Sequence, residues 1–193
     1  MRALIVYESM FGNTKEIAEA VAAGLGEWMD TELVEVGAAP LALTGDVDLL
    51  VVGGPTHVFG MSRPNSRRDA ARQLAVATKD DPAGHSVIST DVGIREWLSG
   101  LDLGPSAPAV AVFDTRLRSR LSGSAAAKAA RLLRRRGARV VDRRSFYVTG
   151  GRGPLRDGER DQARRWTADL VTRRAAGGPA TGETTGAPHG AER

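Results

Sequence analysis

The chain has 193 residues, 41% of them hydrophobic, and its 27 Lys/Arg against 23 Asp/Glu give a formal net charge of +4. It has no cysteine, which excludes disulfides, thiol catalysis and zinc–thiolate sites. No apolar run approaches the length of a membrane span, and the first residues lack the apolar centre of a signal peptide. We therefore expect a cytoplasmic protein built around one substantial core.

Helical and extended patterns alternate along the chain. Apolar or alternating runs predict strands at 3–7, 31–36, 48–54 and 109–113, and a fifth that begins at 140–141 and resumes at 146–148. Spacing and composition predict helices within 17–28, 65–78, 91–99, 122–136 and 163–170. In the first of these, Trp28 continues the apolar face of Ile17, and residues 89–91 (Ser-Thr-Asp) offer a cap for the third. Residues 177–193 contain no large apolar residue, so we expect a single domain at 1–176 followed by a disordered tail.

This alternation predicts an α/β fold, a doubly wound five-stranded parallel sheet of order 2-1-3-4-5 with helices on both faces. In such sheets, ligands bind beyond the carboxyl ends of the strands at the point where the strand order reverses. The loops after Tyr7, Gly54 and Phe113 are therefore the candidate site.

Charge is distributed unevenly along the chain. Residues 1–113 carry 8 Lys/Arg and 15 Asp/Glu, whereas residues 114–176 carry 18 and 6. The basic half is explained either by a solvated face of arginine-rich helices or by attraction of an anionic partner or substrate.

The first candidate loop combines a tight turn with hydrogen-bond donors. Gly12 allows the turn, and the backbone amides that begin the next helix can hold an anion. Ser9, Asn13 and Thr14 add side-chain donors. An ordinary turn with a helix cap would have the same composition, so these residues alone leave both interpretations open.

The stretch "YESMFGNTKEIA" resembles the FMN-phosphate loop of the flavodoxin family, which has roughly Ser/Thr-x-Thr-Gly-x-Thr after the first strand. The match includes Ser9, Gly12 and Thr14, and Phe11 stands where the family has a hydroxyl residue. The resemblance implies a flavodoxin-like fold with bound FMN, its phosphate held by Ser9, Met10, Phe11, Gly12, Asn13 and Thr14.

The second loop, "VVGGPTHVFGMSRPNSRR", resembles the stretch after the third strand of flavodoxin-like proteins and is closest in form to flavodoxin-like quinone reductases. Here Gly53 and Gly54 are expected to let the backbone pass near the flavin ring. The resemblance implies flavin contacts from Pro55, Thr56, His57, Phe59 and Gly60, with His57 and Phe59 as the candidates to cover the ring.

The third loop departs from the family pattern, because no aromatic residue occurs between Phe113 and Phe146 and three arginines follow the strand. The resemblance still implies contacts from Asp114, Thr115 and Arg116 to the polar edge of the flavin. Trp97 is either a substitute for the missing aromatic residue or a core residue. Arginines near a flavin would favour its reduced anion, so we expect a milder reductant than an acidic flavodoxin.

The resemblance implies FMN-dependent electron transfer, by a carrier or by a small reductase of the NAD(P)H:quinone type. The alternative is a non-catalytic module that keeps the fold but has lost the flavin. The expected partner is a redox protein or an NAD(P)H- or quinone-like molecule, and a homo-oligomer remains open. No nucleic-acid recognition motif, P-loop, Gly-x-Gly-x-x-Gly motif or metal-ligand cluster is found in the sequence.

Overall fold

The computed structural model describes residues 1–57, 60–77, 88–119 and 123–176, with the side chains of 73–77 excepted. Four predictions fall outside the described residues: the flavin contact of Phe59, the end of a helix at Thr78, the start of a helix at Ser122, and the disordered tail at 177–193.

The described chain contains five strands and five helices. The strands are β1 (Arg2–Tyr7), β2 (Asp30–Glu35), β3 (Leu49–Pro55), β4 (Ala109–Leu117) and β5 (Arg139–Val148). The helices are α1 (Asn13–Leu25), α2 (Pro64–Ala77), α3 (Ile94–Gly100), α4 (Ala125–Arg135) and α5 (Glu159–Ala175), and a 3-10 turn occupies Val36–Ala38. Among these elements, only the 3-10 turn lies between β2 and β3, and two helices lie between β3 and β4. Among the described residues, no helix has the length and apolar character that a membrane span needs.

All strand pairs are parallel, and the sheet order β2-β1-β3-β4-β5 confirms the predicted 2-1-3-4-5 topology. Apolar residues of α1 and α5 pack on one face of the sheet, and those of α3 and α4 pack on the other. The central strands are buried on both faces, which is why β3 and the first half of β4 read as continuous apolar runs.

Two strands differ from their predicted extents. β4 continues past Phe113 to Leu117, because its polar residues still pair with β5. β5 is one strand rather than two pieces, and the register shift between Val110 and Ala111 leaves Val141 as the extra residue of a bulge.

Three local predictions about helices and tryptophans have clear outcomes. α1 ends at Leu25, so Trp28 lies beyond it and is 54% exposed; the prediction that it shares the buried face was wrong. α3 is capped by the Glu96 carboxylate, which accepts the Gly93 N–H, and not by residues 89–91. Trp97 belongs to the core, with its indole N–H donating to the carbonyl of Pro40 at 3.0 Å.

Candidate functional site

A cleft of about 370 Å³ lies at the carboxyl edge of the sheet, where the strand order reverses between β1 and β3. The loops after β1, β3, β4 and β5 converge on it. Its lining comprises Met10, Phe11, Asn13, Thr14, Pro55, Thr56, His57, Thr115, Arg116, Leu117, Val148 and Gly151. Nine of these are predicted site residues, and the last three are additions that the structure makes.

Residues 10–14, called here the anion loop, lead into α1; Met10, Phe11, Asn13 and Thr14 line the cleft, and Gly12 is not among its lining residues. Gly12 has a left-handed φ of +87°, and a side chain there would meet no atom within 4 Å. Within the described chain, the backbone amides of residues 10–14 have no hydrogen-bond acceptor. Free N–H groups at the positive end of a helix are donors suited to an anion.

The polar side chains predicted to add donors brace the loop instead. Ser9 is fully buried outside the cleft, and its Oγ accepts the N–H of Lys15 at 3.3 Å. The hydroxyls of Thr14 and Thr115 share a 2.7 Å hydrogen bond, which ties the first loop to the third. Asn13 Nδ2 donates to the carbonyl of Arg152 at 2.8 Å. The donors left for a ligand in the anion loop are therefore mainly backbone amides.

Ser89, which the sequence suggested as a helix cap, anchors the base of the anion loop. Its Oγ accepts the N–H of Ser9 at 3.0 Å, and its own N–H donates to the Ser9 carbonyl at 2.9 Å. The same hydroxyl donates to the carboxylate of Glu35. No local pattern identifies this role, because the two serines are 80 residues apart.

Asp114 joins the second and third loops from behind the cleft. It is fully buried, and its Oδ2 accepts from the hydroxyls of Thr56 and Ser124, at 3.0 and 2.6 Å, and from the N–H of Ala126. Thr56 also donates its N–H to the carbonyl of Thr115 at 2.9 Å. Asp114 thus caps α4 and is not among the lining residues.

The glycines of the second loop serve packing. The space that a Gly53 side chain would take is filled by the ring of Phe113, and that of Gly54 borders Ile94 at 3.4 Å. The absence of a side chain at Gly53 is therefore required by the ring of Phe113, whereas a Cβ at Gly54 would make only an ordinary contact. Gly60 is buried under the side chain of Lys128 and is not among the lining residues.

The cleft has no carboxylate among its described lining residues, whereas it has one permanent cation, Arg116. The Arg116 guanidinium donates to the carbonyls of Gly123 and Ser119. His57 is half-buried, and burial, helped by the positive charge of Arg67, lowers the pKa of its imidazole below the usual value. A neutral imidazole beside one fixed cation makes the cleft suited to anionic groups.

Glu8 precedes the anion loop and is buried, with Oε2 accepting the N–H of Ile94 at 2.9 Å. Burial raises the pKa of this carboxyl group, although hydrogen bonds from Ser62 and Ile94 and the charge of Arg67 oppose the shift.

No group of three metal-ligating side chains is found among the described residues.

The chain is similar to known proteins in structure, but no match to it was found by sequence. No protein-family model and no curated protein matches the chain. An archaeal flavodoxin is 20% identical over 91% of this chain and 99% of its own, with a TM-score of 0.57. Flavodoxin 2 from Bacillus cereus is 19% identical over 90% and 99%, with a TM-score of 0.56. A flavodoxin from Streptococcus pneumoniae is 17% identical over 90% and 99%, with a TM-score of 0.55.

The sheet order, the two helical layers and the cleft at the reversal point define a doubly wound α/β protein with a ligand site at its carboxyl edge. Within that class, the likeness to solved flavodoxins over nine-tenths of the chain shows that the fold is flavodoxin-like.

Proposed function

We propose that the cleft binds FMN and that the protein is an electron-transfer flavoprotein, acting as a carrier or as a small reductase. The observation that carries this proposal is the run of free backbone amides at residues 10–14, a loop of which four residues line the cleft. A dianionic phosphate is the group that such an amide cluster at a helix N-terminus binds best.

The remaining walls suit the rest of the cofactor. A volume of about 370 Å³ is that of a small-molecule site, and the lining mixes apolar side chains with a few polar groups. Residues 10–14 would hold the phosphate, and Pro55, Thr56, His57, Thr115 and Arg116 would border the ring system. When bound, FMN supplies the one- and two-electron chemistry.

The side chains of the cleft set the electrostatics for that chemistry. Arg116 favours negative charge in the cleft, and no described lining residue opposes it with a carboxylate. His57, kept neutral by burial, can donate or accept a hydrogen bond without adding charge. These residues support the expectation of a milder reductant than an acidic flavodoxin.

The test compares FMN with riboflavin, which has the same ring system and lacks the phosphate. We expect the purified protein to quench the fluorescence of FMN on binding, and to bind riboflavin at least about tenfold more weakly. Equal affinities would contradict the assignment of the anion loop to the phosphate. Absence of FMN binding would favour the alternative, a non-catalytic module of the same fold.

A second assay separates the two forms of the proposed function. FMN-loaded protein that oxidises NAD(P)H with a quinone acceptor would be a reductase. FMN-loaded protein without this activity would be a carrier that exchanges electrons with a protein partner.

A further inference from the structure

A basic surface lies where α4 packs beside β5. Arg131, Arg134 and Arg135 of α4 and Arg143 of β5 line, with Ala127, a surface depression of about 380 Å³. We call these four arginines and the depression between them the arginine groove. It is separate from the cleft, since no residue lines both.

The sequence of α4 explains why its arginines share the outer face. The helix buries small and apolar residues against the sheet, namely Ala125, Ala126, Ala129, Ala130 and Leu133. Its long cationic side chains are therefore directed away from the core. β5 contributes Arg143 from the neighbouring edge of the sheet.

The charge of the groove is not neutralised within the described chain. Its four arginines make no ion pair and donate no side-chain hydrogen bond to a described residue. By contrast, Arg144, Arg173 and Arg174 all pair with aspartates on the opposite side of the sheet or at its end. The groove thus concentrates four unpaired positive charges around one concave surface.

The geometry points to an acidic polypeptide segment as the ligand of the arginine groove, and we propose this as a docking function of the protein. All four arginines are exposed, and a single exposed ion pair contributes only about 0–1 kcal/mol. A small anion would therefore be held weakly. A segment that presents several carboxylates engages several guanidinium groups at once, and the contributions combine.

The edge of the sheet favours a polypeptide over a nucleic acid. β5 is the last strand of the sheet and, along residues 139–146, β4 is the one strand paired with it among the described residues. Its carboxyl end is covered, because Arg156 donates its N–H to the carbonyl of Tyr147 and Leu155 forms a bridge with Val148. The remaining edge offers backbone groups that an added extended chain can pair with.

The groove also leads towards the cleft. Arg143, Ser145 and Tyr147 alternate along one face of β5, and the guanidinium of Arg118 lies 5.9 Å from the centre of the Tyr147 ring. The next residue, Val148, lines the cleft. An acidic protein docked along β5 from Arg143 to Val148 would adjoin the cleft. Its role as an electron-transfer partner, unlike its binding, rests on the proposed function.

The test uses the full chain without cofactor and a fluorescent oligoglutamate of about ten residues, the length of β5. Binding is followed by fluorescence anisotropy at about 0.01 M and about 0.15 M ionic strength, between which the Debye length falls from roughly 30 to 8 Å. The groove variant combines Arg131→Glu with Arg143→Glu. Its control combines Arg164→Glu with Arg165→Glu, two exposed arginines of α5 that make no ion pair with a described residue.

Both variants change the net charge by the same amount, so general attraction falls equally. We expect the groove variant to bind oligoglutamate about tenfold or more weakly than the control variant, because two close pairs become repulsive. We also expect oligoglutamate to slow backbone amide exchange in β5 of the unsubstituted protein. If the groove variant fails to fold, the single substitutions Arg131→Gln and Arg143→Gln replace it.

Equal affinities of the groove and control variants would overturn the inference, since binding would then depend on net charge alone. A single-stranded oligonucleotide of equal charge serves as the competing ligand. If it binds more tightly than oligoglutamate, and the groove variant loses this binding, the choice of a polypeptide would be overturned. FMN binding is measured on the same samples. Its absence would contradict the proposed function and leave the docking result interpretable.

Discussion

Replacing Gly12 with alanine isolates the backbone geometry of the anion loop. Gly12 has a φ of +87° and its missing side chain faces open space, so Gly12→Ala adds backbone strain without a steric clash. A non-glycine residue in the left-handed region costs about 1–2 kcal/mol. The loop can relieve this strain only by rotating the peptide groups next to Gly12, which changes the directions of the amide N–H groups in the anion loop.

Gly158 provides the matched control for this substitution. It precedes α5 as Gly12 precedes α1, with a φ of +81° and open space around it, and it is not among the residues that line the cleft. Without ligand, Gly158→Ala should lower the free energy of unfolding in urea by about 1–2 kcal/mol, whereas Gly12→Ala should lower it by less, because the free anion loop can relieve the strain. Only Gly12→Ala should weaken FMN binding. If the loop relieves about 1.4 kcal/mol of strain when FMN leaves, the affinity falls about tenfold.

The ligand comparison sharpens this test. Riboflavin lacks the phosphate, so its affinity should be nearly the same for the unsubstituted protein and for Gly12→Ala. Equal losses of FMN affinity in Gly12→Ala and Gly158→Ala would refute the reasoning, because the effect would then follow from stability and not from the anion loop.

Three further outcomes follow from buried and charged groups. Gly53→Ala should lower the free energy of unfolding in urea by about 1–3 kcal/mol because its Cβ overlaps the ring of Phe113, whereas Gly54→Ala adds an ordinary contact and should cost less. Arg116→Gln should lower the midpoint potential of bound FMN, by on the order of 1 kcal/mol of lost stabilisation of the reduced anion, measured by spectroelectrochemistry. Burial raises the pKa of Glu8, so folding favours the protonated form of its carboxyl group. The free energy of unfolding, compared with that of Glu8→Gln, should therefore fall as the pH rises from about 4 through the raised pKa of the folded protein. Urea titrations at a series of pH values measure this difference.

Each of these outcomes has a result that would contradict it. Equal stability of the two β3 glycine variants would show that the ring of Phe113 moves aside without cost. Arg165→Gln removes the same charge from α5, which contributes no lining residue to the cleft. An equal shift of the midpoint potential in that variant would reject a local effect of Arg116. Parallel stability curves of the unsubstituted protein and Glu8→Gln would show that Glu8 does not titrate differently in the folded state.

The fold could be predicted from the sequence because its signals are local and repeated. Each central strand is a short apolar run, and each is followed by a helical pattern, which leaves few topologies open. The errors lie where tertiary contacts decide. The extension of β4 to Leu117 depends on pairing with β5, and Trp28 is exposed because α1 ends before it.

The candidate site was predictable at the level of loops, and less so for individual side chains. Strand order alone brings the loops after β1, β3 and β4 together, and nine predicted residues line the cleft. The contributions of Leu117, Val148 and Gly151 depend on how far β4 and β5 extend. The hydrogen bonds of Ser89 to Ser9 connect distant parts of the chain, and no spacing rule anticipates them.

Phe11 stands where the flavodoxin-family pattern has a hydroxyl residue, and the hydrogen bonds of the loop show how much this difference matters. Phe11 removes one hydroxyl from the anion loop, but Ser9 and Thr14 keep theirs and use them within the protein. Side-chain hydroxyls therefore fix the position of the loop relative to its neighbours, while the backbone N–H groups of residues 10–14 bond to no described residue. Because a backbone amide does not depend on residue type, the phosphate binding proposed for the anion loop does not require a hydroxyl at residue 11, but it does require that Gly12 keep its left-handed conformation.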